Sequence, residues 1–212
     1  MTDQDQSAAF APITAIDALE AIYGRPNVAS TVKQIDYISR AYRRFVEAAP
    51  FAVLATSGPE GLDASPRGDR PGFARVVDAR TVMLPDRRGN NRIDSLRNVV
   101  RDPRVALLFL IPGAGNTLRI NGTAAVTADP ALCASFAVDG RPPRTVLVVT
   151  VAEVYFQCAR ALIRSRLWDP EARIDPDSLP SPGAILDELS DGGIDAETYD
   201  AEWPGRAVRT MW

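Results

Sequence analysis

A succession of short apolar runs between Phe51 and Phe156 most constrains what this chain can fold into. Each run is bounded by glycine, proline or short polar residues, a pattern typical of strands and turns. Strands are predicted over residues 51–57, 62–67, 73–78, 81–85, 104–112, 117–127 and 145–156. Because few helices separate them and no strand–helix–strand alternation is present, the pattern predicts a barrel rather than a doubly wound parallel sheet.

Helical patterns flank and interrupt the predicted strands. Apolar residues at helical spacing predict helices over residues 13–23 and 30–48. With a disordered start up to about residue 11, these helices form a predicted N-terminal helical cap, residues 1–48. The strands form a predicted barrel domain, residues 49–168, together with three short helices at 93–100, 130–138 and 158–168.

Residues 169–212 form an extension of different composition. Between Asp169 and Glu202 it contains eleven acidic residues and one base, Arg173. One interpretation is a solvated acidic tail. The other is a set of short elements that dock onto the body of the protein or onto a partner subunit. This second interpretation is favoured by the apolar residues Ile185, Leu186, Leu189, Ile194, Tyr199 and Trp203.

The chain contains no histidine, and this narrows the chemistry available to it. Zinc sites built on imidazole, histidine-based nucleophilic triads and histidine general bases are excluded. The two cysteines, Cys133 and Cys158, do not form a metal-binding pair. An organic cofactor is therefore the expected source of chemistry, and no metal site is expected.

Charge and hydropathy favour a small-molecule substrate over a macromolecular partner. The formal net charge of -3 gives no overall basic field for nucleic acid. The longest apolar run, Val105 to Pro112, is too short to span a bilayer, and the acidic N-terminus lacks the features of a secretory signal. We therefore expect a cytoplasmic protein with neither a nucleic-acid nor a membrane partner.

Two loops concentrate arginines directly after predicted strands. SPRGDRPG (65–72) and PDRRGNNR (85–92) each combine arginine with glycine and short polar residues. Glycine lets the backbone approach a ligand closely, and arginine offers a forked donor to phosphate oxygens. Asn90, Asn91 and the amides that open the next helix add neutral donors and a favourable dipole. Together the loops predict a phosphomonoester site, although either loop alone also fits an ordinary hairpin with solvated arginines.

The order of four segments along the chain is distinctive. From the amino terminus they are FAVLATSGPEGLDASPRGD, RTVMLPDRRGNNRIDSLRNVVRDPRVALLFLIPG, TLRINGTAAVT and ALIRSRLW. They cover roughly residues 45–170, and their order resembles that of the flavin mononucleotide (FMN)-binding split-barrel proteins related to pyridoxamine 5'-phosphate oxidase. The resemblance implies an α+β protein: a six- to seven-stranded antiparallel split β-barrel with N-terminal helices and flanking short helices. It also implies a homodimer with two FMN molecules at the subunit interface.

The resemblance further implies which residues contact FMN. Two groups of residues would hold the phosphate: Ser65, Pro66, Arg67, Gly68 and Asp69, and then Asn90, Asn91 and Arg92. Arg87 or Arg88 would assist them. The backbone of Leu84, Pro85 and Asp86 would lie along the ribityl chain or ring. The pyrimidine edge would meet Thr117, Leu118 and Arg119. Arg164 and Trp168 would reach the cofactor from the second subunit. Two alternatives stay open: Arg119 as a solvated barrel residue, and Trp168 as an interface anchor without flavin contact.

Two departures from the family pattern bear on activity. The true oxidases carry a C-terminal arginine/histidine pair that binds the substrate, whereas this chain has no histidine and an acidic tail. A related subgroup has a histidine before the cysteine of the last helix, where this chain has Gln157 ahead of Cys158. Pyridoxamine-phosphate oxidase activity is therefore not expected.

The leading hypothesis is an FMN-dependent oxidoreductase that transfers hydride or electrons to an unknown small molecule, with NAD(P)H as a possible donor. One alternative keeps the fold and binds the deazaflavin F420 as a reductase. Another is a flavin-binding carrier or sensor without catalysis. Haem is disfavoured because no histidine is available to ligate it.

Overall fold

The computed structural model describes residues 11–211, so the expected disorder up to about residue 11 falls almost wholly outside the described residues. The chain divides into two compact units, of which the first ends at Lys33 and the second begins at Gln34. The first unit contains α1 (Ile16–Tyr23) and α2 (Val28–Thr31). The second contains the sheet and the other helices.

The second unit is built on a seven-stranded antiparallel sheet with the strand order β2-β1-β5-β6-β7-β4-β3. This confirms the predicted α+β class and is consistent with a split barrel. The strands are β1 (Phe51–Gly58), β2 (Gly61–Gly68), β3 (Arg75–Val76), β4 (Thr81–Asp86), β5 (Arg104–Leu110), β6 (Thr117–Thr127) and β7 (Thr145–Gln157).

Alternating side chains give the sheet a buried face. Leu54 pairs with Leu107, Leu107 with Ile120, and Ile120 with Val154, and all four side chains are fully buried. Directly paired residues point to the same face of a sheet, so these four form one continuous row of the core. Burying a side chain of this size contributes about 1.5–3 kcal/mol. The row therefore fixes the register of four strands.

Four short helices accompany the sheet: α3 (Arg40–Ala48), α4 (Asp94–Arg101), α5 (Pro130–Ser135) and α6 (Arg160–Arg164). Helix α3 begins where the Ser39 hydroxyl accepts a hydrogen bond from the Tyr42 amide, and it buries Tyr42 and Val46 in the core. Helix α4 packs against β1 and buries Asn98, whose amide donates to the Thr56 hydroxyl at 3.1 Å.

The prediction of one helix over residues 30–48 is wrong. Helix α2 ends at Thr31, and α3 begins only at Arg40. Between them, Ile35 pairs with Val154 of β7 through two backbone hydrogen bonds of 3.1 and 2.8 Å. A residue whose amide and carbonyl both bond to a strand cannot also make helical hydrogen bonds, so the long-range pairing overrides the helical periodicity.

Other predicted elements exist but are shorter than expected. The strand predicted over 73–78 is reduced to Arg75–Val76, and the helix predicted over 158–168 to Arg160–Arg164. The predicted cap of α5 is confirmed, because the Asp129 side chain accepts from the Leu132 amide at 2.7 Å. That helix ends at Ser135 rather than Val138 because Val138 forms a bridge with Arg141.

The C-terminal extension contains two helices, α7 (Pro182–Leu189) and α8 (Ala196–Thr210), which pack on each other. Single 3₁₀ turns at Pro170–Ala172 and Pro176–Ser178 precede them. Asp200 of α8 accepts hydrogen bonds from the Ser181 hydroxyl and from the Gly183 amide at the start of α7. A carboxylate at a helix amino terminus is stabilising, so Asp200 fastens the two helices together. Across residues 11–211, no helix is both long and apolar enough to cross a membrane.

A substitution at Gly122 tests the register of β6 and β7, the longest strand pair. It lies at a β-bulge between β6 and β7, where an added Cβ would come within 2.0 Å of the Thr150 carbonyl oxygen. We expect Gly122→Ala to lower the free energy of unfolding by about 2 kcal/mol or more, since the backbone must shift. The measurement is urea denaturation followed by circular dichroism. Gly89→Ala is the control, with an expected change within about 0.5 kcal/mol, because nothing lies within 4 Å of its added Cβ. Equal stability of the Gly122 variant would contradict the described bulge.

Candidate functional site

The two arginine-bearing loops line one cleft of about 340 Å³. One wall comes from the end of β2 and the other from the end of β4 and the start of α4. Strand β2 is at one edge of the sheet and β4 is next to the opposite edge, so a shared cleft requires the sheet to curl. The cleft is lined by Ser65, Pro66, Arg67, Gly68, Phe73, Pro85, Asp86, Arg87, Arg88, Gly89, Asn90, Asn91, Arg92, Ile93, Asp94, Ser95, Leu96 and Arg144.

A buried ion pair ties the two walls together. The Arg87 guanidinium donates through Nε to the Asp69 carboxylate at 2.7 Å and through Nη1 to the Phe136 carbonyl at 2.8 Å. The Asp69 side chain is only 3% exposed. The position of Arg87 is therefore set by protein groups, and its charge is balanced by Asp69.

A hydroxyl network supports the same cleft from the side of β2. The buried Ser95 hydroxyl lies 2.6 Å from an Asp63 carboxylate oxygen and 2.9 Å from the Ser65 hydroxyl. Ser65 donates to the same carboxylate at 3.0 Å. The hydrogen bond from Ser95 is the main reason that the pKa of Asp63 lies below its usual value. Asp63 therefore fixes two hydroxyls that line the cleft.

The loop before α4 has an unusual backbone. Asn91 and Ile93 both adopt left-handed conformations, with φ of 62° and 54°. This region is disfavoured for a β-branched residue such as isoleucine. The Asn90 side chain stabilises the loop by accepting from the Arg92 amide at 3.0 Å. The result is a tight turn that brings the first residues of α4 to the cleft.

Strand pairing adds an arginine that the sequence analysis missed. Asp86 at the end of β4 pairs with Thr145 at the start of β7, so Arg144 lies beside the basic loop. The Arg144 guanidinium donates to the Asn91 side-chain oxygen at 3.2 Å. The RPPR segment, 141–144, directly before a long apolar run, was a visible sign of a basic loop. Which loop lies next to it depends on a strand pairing that the sequence does not reveal.

A second pocket of about 170 Å³ adjoins the cleft. It is lined by Arg87, Arg88, Arg141, Pro142, Pro143 and Arg144, and no acidic residue is among them. Within residues 11–211, Arg88 makes no hydrogen bond or ion pair. Apart from Arg87, which pairs with Asp69, the arginines at this end of the site form no ion pair with any carboxylate of the described residues.

Asp86 lies close enough to Arg67 and Arg144 for their charges to act on its carboxyl group. Burial raises the pKa of Asp86 above its usual value, while the charges of Arg67 and Arg144 act in the opposite direction. Burial is the larger effect, so the ionised carboxylate is disfavoured in the folded protein. A titratable group with such a shift inside a cleft is typical of ligand sites.

The structure brings together most, but not all, of the predicted site residues. Ser65, Pro66, Arg67, Gly68, Pro85, Asp86, Arg87, Asn90, Asn91 and Arg92 line the cleft together with Arg88. Asp69 lies behind the wall in its ion pair with Arg87, and the Leu84 side chain is in the core. Thr117 and Leu118 are buried in β6. The Arg119 guanidinium donates a hydrogen bond to the Tyr155 hydroxyl. Arg164 is exposed on α6. The Trp168 indole donates to the Ala114 carbonyl at 2.8 Å. These last residues lie outside the cleft lining, and their contact with a cofactor stays a prediction.

Comparison with known families shows which family the chain belongs to. Residues 38–158, more than half of its length, match the family model described as Pyridoxamine 5'-phosphate oxidase. The chain belongs to this family. The matched range includes the seven strands and the whole lining of the cleft. No curated protein matches the chain.

Several solved structures are similar at low identity. HupZ from Group A Streptococcus is 17% identical, with 55% of this chain and 91% of that chain covered and a TM-score of 0.45. A protein of the pyridoxinephosphate oxidase family from Clostridium acetobutylicum, related to general stress protein 26, is 16% identical, with 54% and 84% covered and a TM-score of 0.40. A pyridoxamine 5'-phosphate oxidase-related, FMN-binding protein from Nostoc punctiforme is 12% identical, with 56% and 79% covered and a TM-score of 0.39. The family assignment rests on the match of residues 38–158.

The pKa of Asp86 gives a testable pH dependence. A pKa raised on folding means that the contribution of this group to stability is present below its unfolded pKa of about 4 and is lost as pH rises through the folded pKa. At pH 7 the ionised carboxylate therefore costs stability. We expect Asp86→Asn to raise the melting temperature at pH 7 and to bring less gain near pH 4, measured by thermal denaturation.

Asp102→Asn provides a control of opposite sign. Hydrogen bonds from Arg104 lower the pKa of Asp102 to about 2, so its charge stabilises the folded protein above its unfolded pKa and the effect is lost as pH falls towards 2. This variant should melt at a lower temperature than the wild type at pH 7. A lower melting temperature of Asp86→Asn at pH 7 would contradict the described environment of Asp86.

Proposed function

We propose that this protein binds FMN in the cleft between β2 and α4 and works as an oxidoreductase on a small molecule. The observation that carries the proposal is the convergence of two arginine-bearing loops, 65–68 and 85–92, on one cleft. A phosphomonoester carries two negative charges and several acceptor oxygens, which match forked guanidinium donors and backbone amides. Membership of a family that includes FMN-binding proteins supports the same cofactor.

Different cleft residues would have different tasks in holding the phosphate. Arg67 and Arg88 offer guanidinium groups, and Asn91 offers a neutral amide. Arg92 pairs through Nε with Asp94 at the exposed start of α4 and would offer its remaining guanidinium donors. The first turn of α4 adds backbone amides with a dipole that favours an anion. Arg87 acts differently, because its pairing with Asp69 makes it a link between the cleft walls. Ser65 and Ser95 donate their hydroxyl hydrogens to Asp63, so they would shape the wall of the cleft rather than donate to the phosphate.

When bound, FMN would supply the hydride- and electron-accepting chemistry. The residues of the protein would bind and orient the cofactor. The adjoining pocket around Arg141 and Arg144 would draw an anionic substrate towards it, since no carboxylate lines that pocket. NAD(P)H is the proposed electron donor.

We also propose that the protein is a homodimer with the cofactor at the interface. The sheet face opposite the core carries apolar side chains that the protomer covers only in part: Phe51, Val53, Leu108 and Leu110. Contiguous apolar surface of this kind is typical of an interface. Light scattering should give twice the chain mass of 22.9 kDa. A monomer at micromolar concentration would contradict the interface site.

The identity of the cofactor is tested by mass spectrometry of the small molecule released on denaturation. FMN supports the proposal, whereas F420 supports the deazaflavin alternative. Bleaching of the bound FMN by NADPH or NADH supports the oxidoreductase role. FMN that no nicotinamide reduces supports a carrier or sensor.

The position of the phosphate is tested by comparing FMN with riboflavin, which lacks the phosphate. Each of Arg67→Ala and Arg92→Ala should weaken FMN binding about 10- to 100-fold, because each removes a charge-assisted hydrogen bond worth about 1.5–3 kcal/mol. Riboflavin affinity should not change. Both dissociation constants are measured by quenching of flavin fluorescence.

Arg101→Ala is the matched control for this titration. Arg101 lies at the other end of α4, where it pairs with Glu60, and it does not line the cleft. Its removal should leave both dissociation constants unchanged. Unchanged FMN affinity in the Arg67/Arg92 double variant would remove the phosphate from this cleft. Equal losses for FMN and riboflavin would mean that the arginines act on the fold rather than on the phosphate.

A further inference from the structure

Tyr155 and Arg119 form a pair on the sheet face opposite the core. They are directly opposed on β7 and β6. The Arg119 Nη1 donates to the Tyr155 hydroxyl at 2.9 Å, and the guanidinium carbon lies 5.5 Å from the centre of the phenol ring. Both side chains are half-buried. The phenol is thus a fixed hydrogen-bond partner for the arginine.

Strand register connects this pair to the cleft. Pro66 pairs with Val53, Val53 with Leu108, and Leu108 with Arg119. Paired residues share a face, so Pro66, which lines the cleft, begins a row that passes two apolar residues and ends at Arg119 and Tyr155. Three strand spacings of about 4.8 Å place Arg119 roughly 14 Å from Pro66 along the sheet.

The row is complementary to a flat ligand with a charged end. The row begins at Pro66 beside the basic cleft, its middle is apolar, and its far end carries the Arg119 guanidinium. The neighbouring row on the same face contains Ala55 and Ala106, whose small side chains project little from the sheet. A phosphorylated ligand with a planar ring system whose far edge gains negative charge would match this arrangement.

The partner of Arg119 is neutral. Among residues 11–211, no carboxylate lies within ion-pair distance of its guanidinium. An aspartate or glutamate at position 155 would orient the arginine but cancel its charge. A phenol accepts the hydrogen bond and leaves the positive charge in place. A tyrosine at this position therefore orients the guanidinium without neutralising it.

We propose that Tyr155 is a positioning residue that holds the Arg119 guanidinium against the pyrimidine edge of the bound flavin. A fixed positive charge there binds reduced FMN, which is more negative, better than oxidised FMN. Tyr155 would thereby raise the midpoint potential of the cofactor. This inference rests on the proposed FMN site and adds a residue that tunes it.

The test is a double-mutant cycle with the potential as its readout. The variants are Tyr155→Phe, Arg119→Met and the double variant, each loaded with FMN and titrated in a spectroelectrochemical cell. Tyr155→Phe should lower the ratio of reduced to oxidised FMN affinity about 3- to 10-fold, the range for loss of one hydrogen bond. A tenfold change corresponds to about 30 mV towards more negative potential in a two-electron couple. Affinity for oxidised FMN should change less than twofold.

The cycle separates action through Arg119 from a structural effect. Arg119→Met should lower the potential at least as much as Tyr155→Phe, and Tyr155→Phe should then have no further effect in the Arg119→Met background. Arg119→Lys retains the charge and should recover part of the potential, which a structural defect would not do. Tyr199→Phe, in the C-terminal helices, should match the wild type.

Three results would overturn the proposal. One is a wild-type potential in Tyr155→Phe. Another is an equal shift from Tyr155→Phe with and without Arg119, which would show that the phenol acts by another route. The third is an absence of FMN binding by the wild type, which would remove the proposed function as well. Arginine-dependent FMN affinity in the cleft combined with unshifted potentials would overturn the role of Tyr155 alone.

Discussion

The ion pair between Asp69 and Arg87 holds together the two segments on which the site depends. Asp69 follows β2 at one edge of the sheet, and Arg87 follows β4 near the other edge. Breaking a buried pair by removing one partner generally costs about 3–5 kcal/mol, because the remaining charge is left without compensation. A second bond from Arg87 to the Phe136 carbonyl joins the segment after α5 to the same point. Arg87 lines both the cleft and the second pocket, so this contact fixes a residue that the two share.

The electrostatics of the cleft follow from that closure. Bringing the two walls together concentrates arginine side chains in a small space. The protein limits their repulsion by pairing Arg87 with Asp69 and Arg92 with Asp94, and by placing Asp86 among the others. Asp86 is itself disfavoured as an anion because it is half-buried. The site is therefore a compromise between folding, which favours fewer charges, and anion binding, which favours more positive charge.

Much of this arrangement could be predicted from the sequence, because local patterns carry it. Alternation and turn residues gave the strands, and arginine beside glycine and asparagine marked the two cleft loops. The remainder depends on contacts between residues far apart in the chain. Ile35 was placed in a helix because its periodicity is helical, whereas its backbone pairs with Val154. Arg144 was missed because its place beside Asn91 depends on the pairing of Asp86 with Thr145. The pairing of Asp69 with Arg87 could not be predicted either, because the two residues follow strands that lie far apart in the sheet.

The proline within β2 has a consequence for how copies of this chain can associate. Strand β2 is an edge of the sheet, and an open edge is a template on which another chain can add a strand. Pro66 has no amide hydrogen to offer to an incoming strand, and prolines occur in sheets mainly at such edges. Repeated strand addition, the first step of fibril growth, is therefore hindered at the segment that lines the cleft. Association through faces of the sheet is left as the easier route.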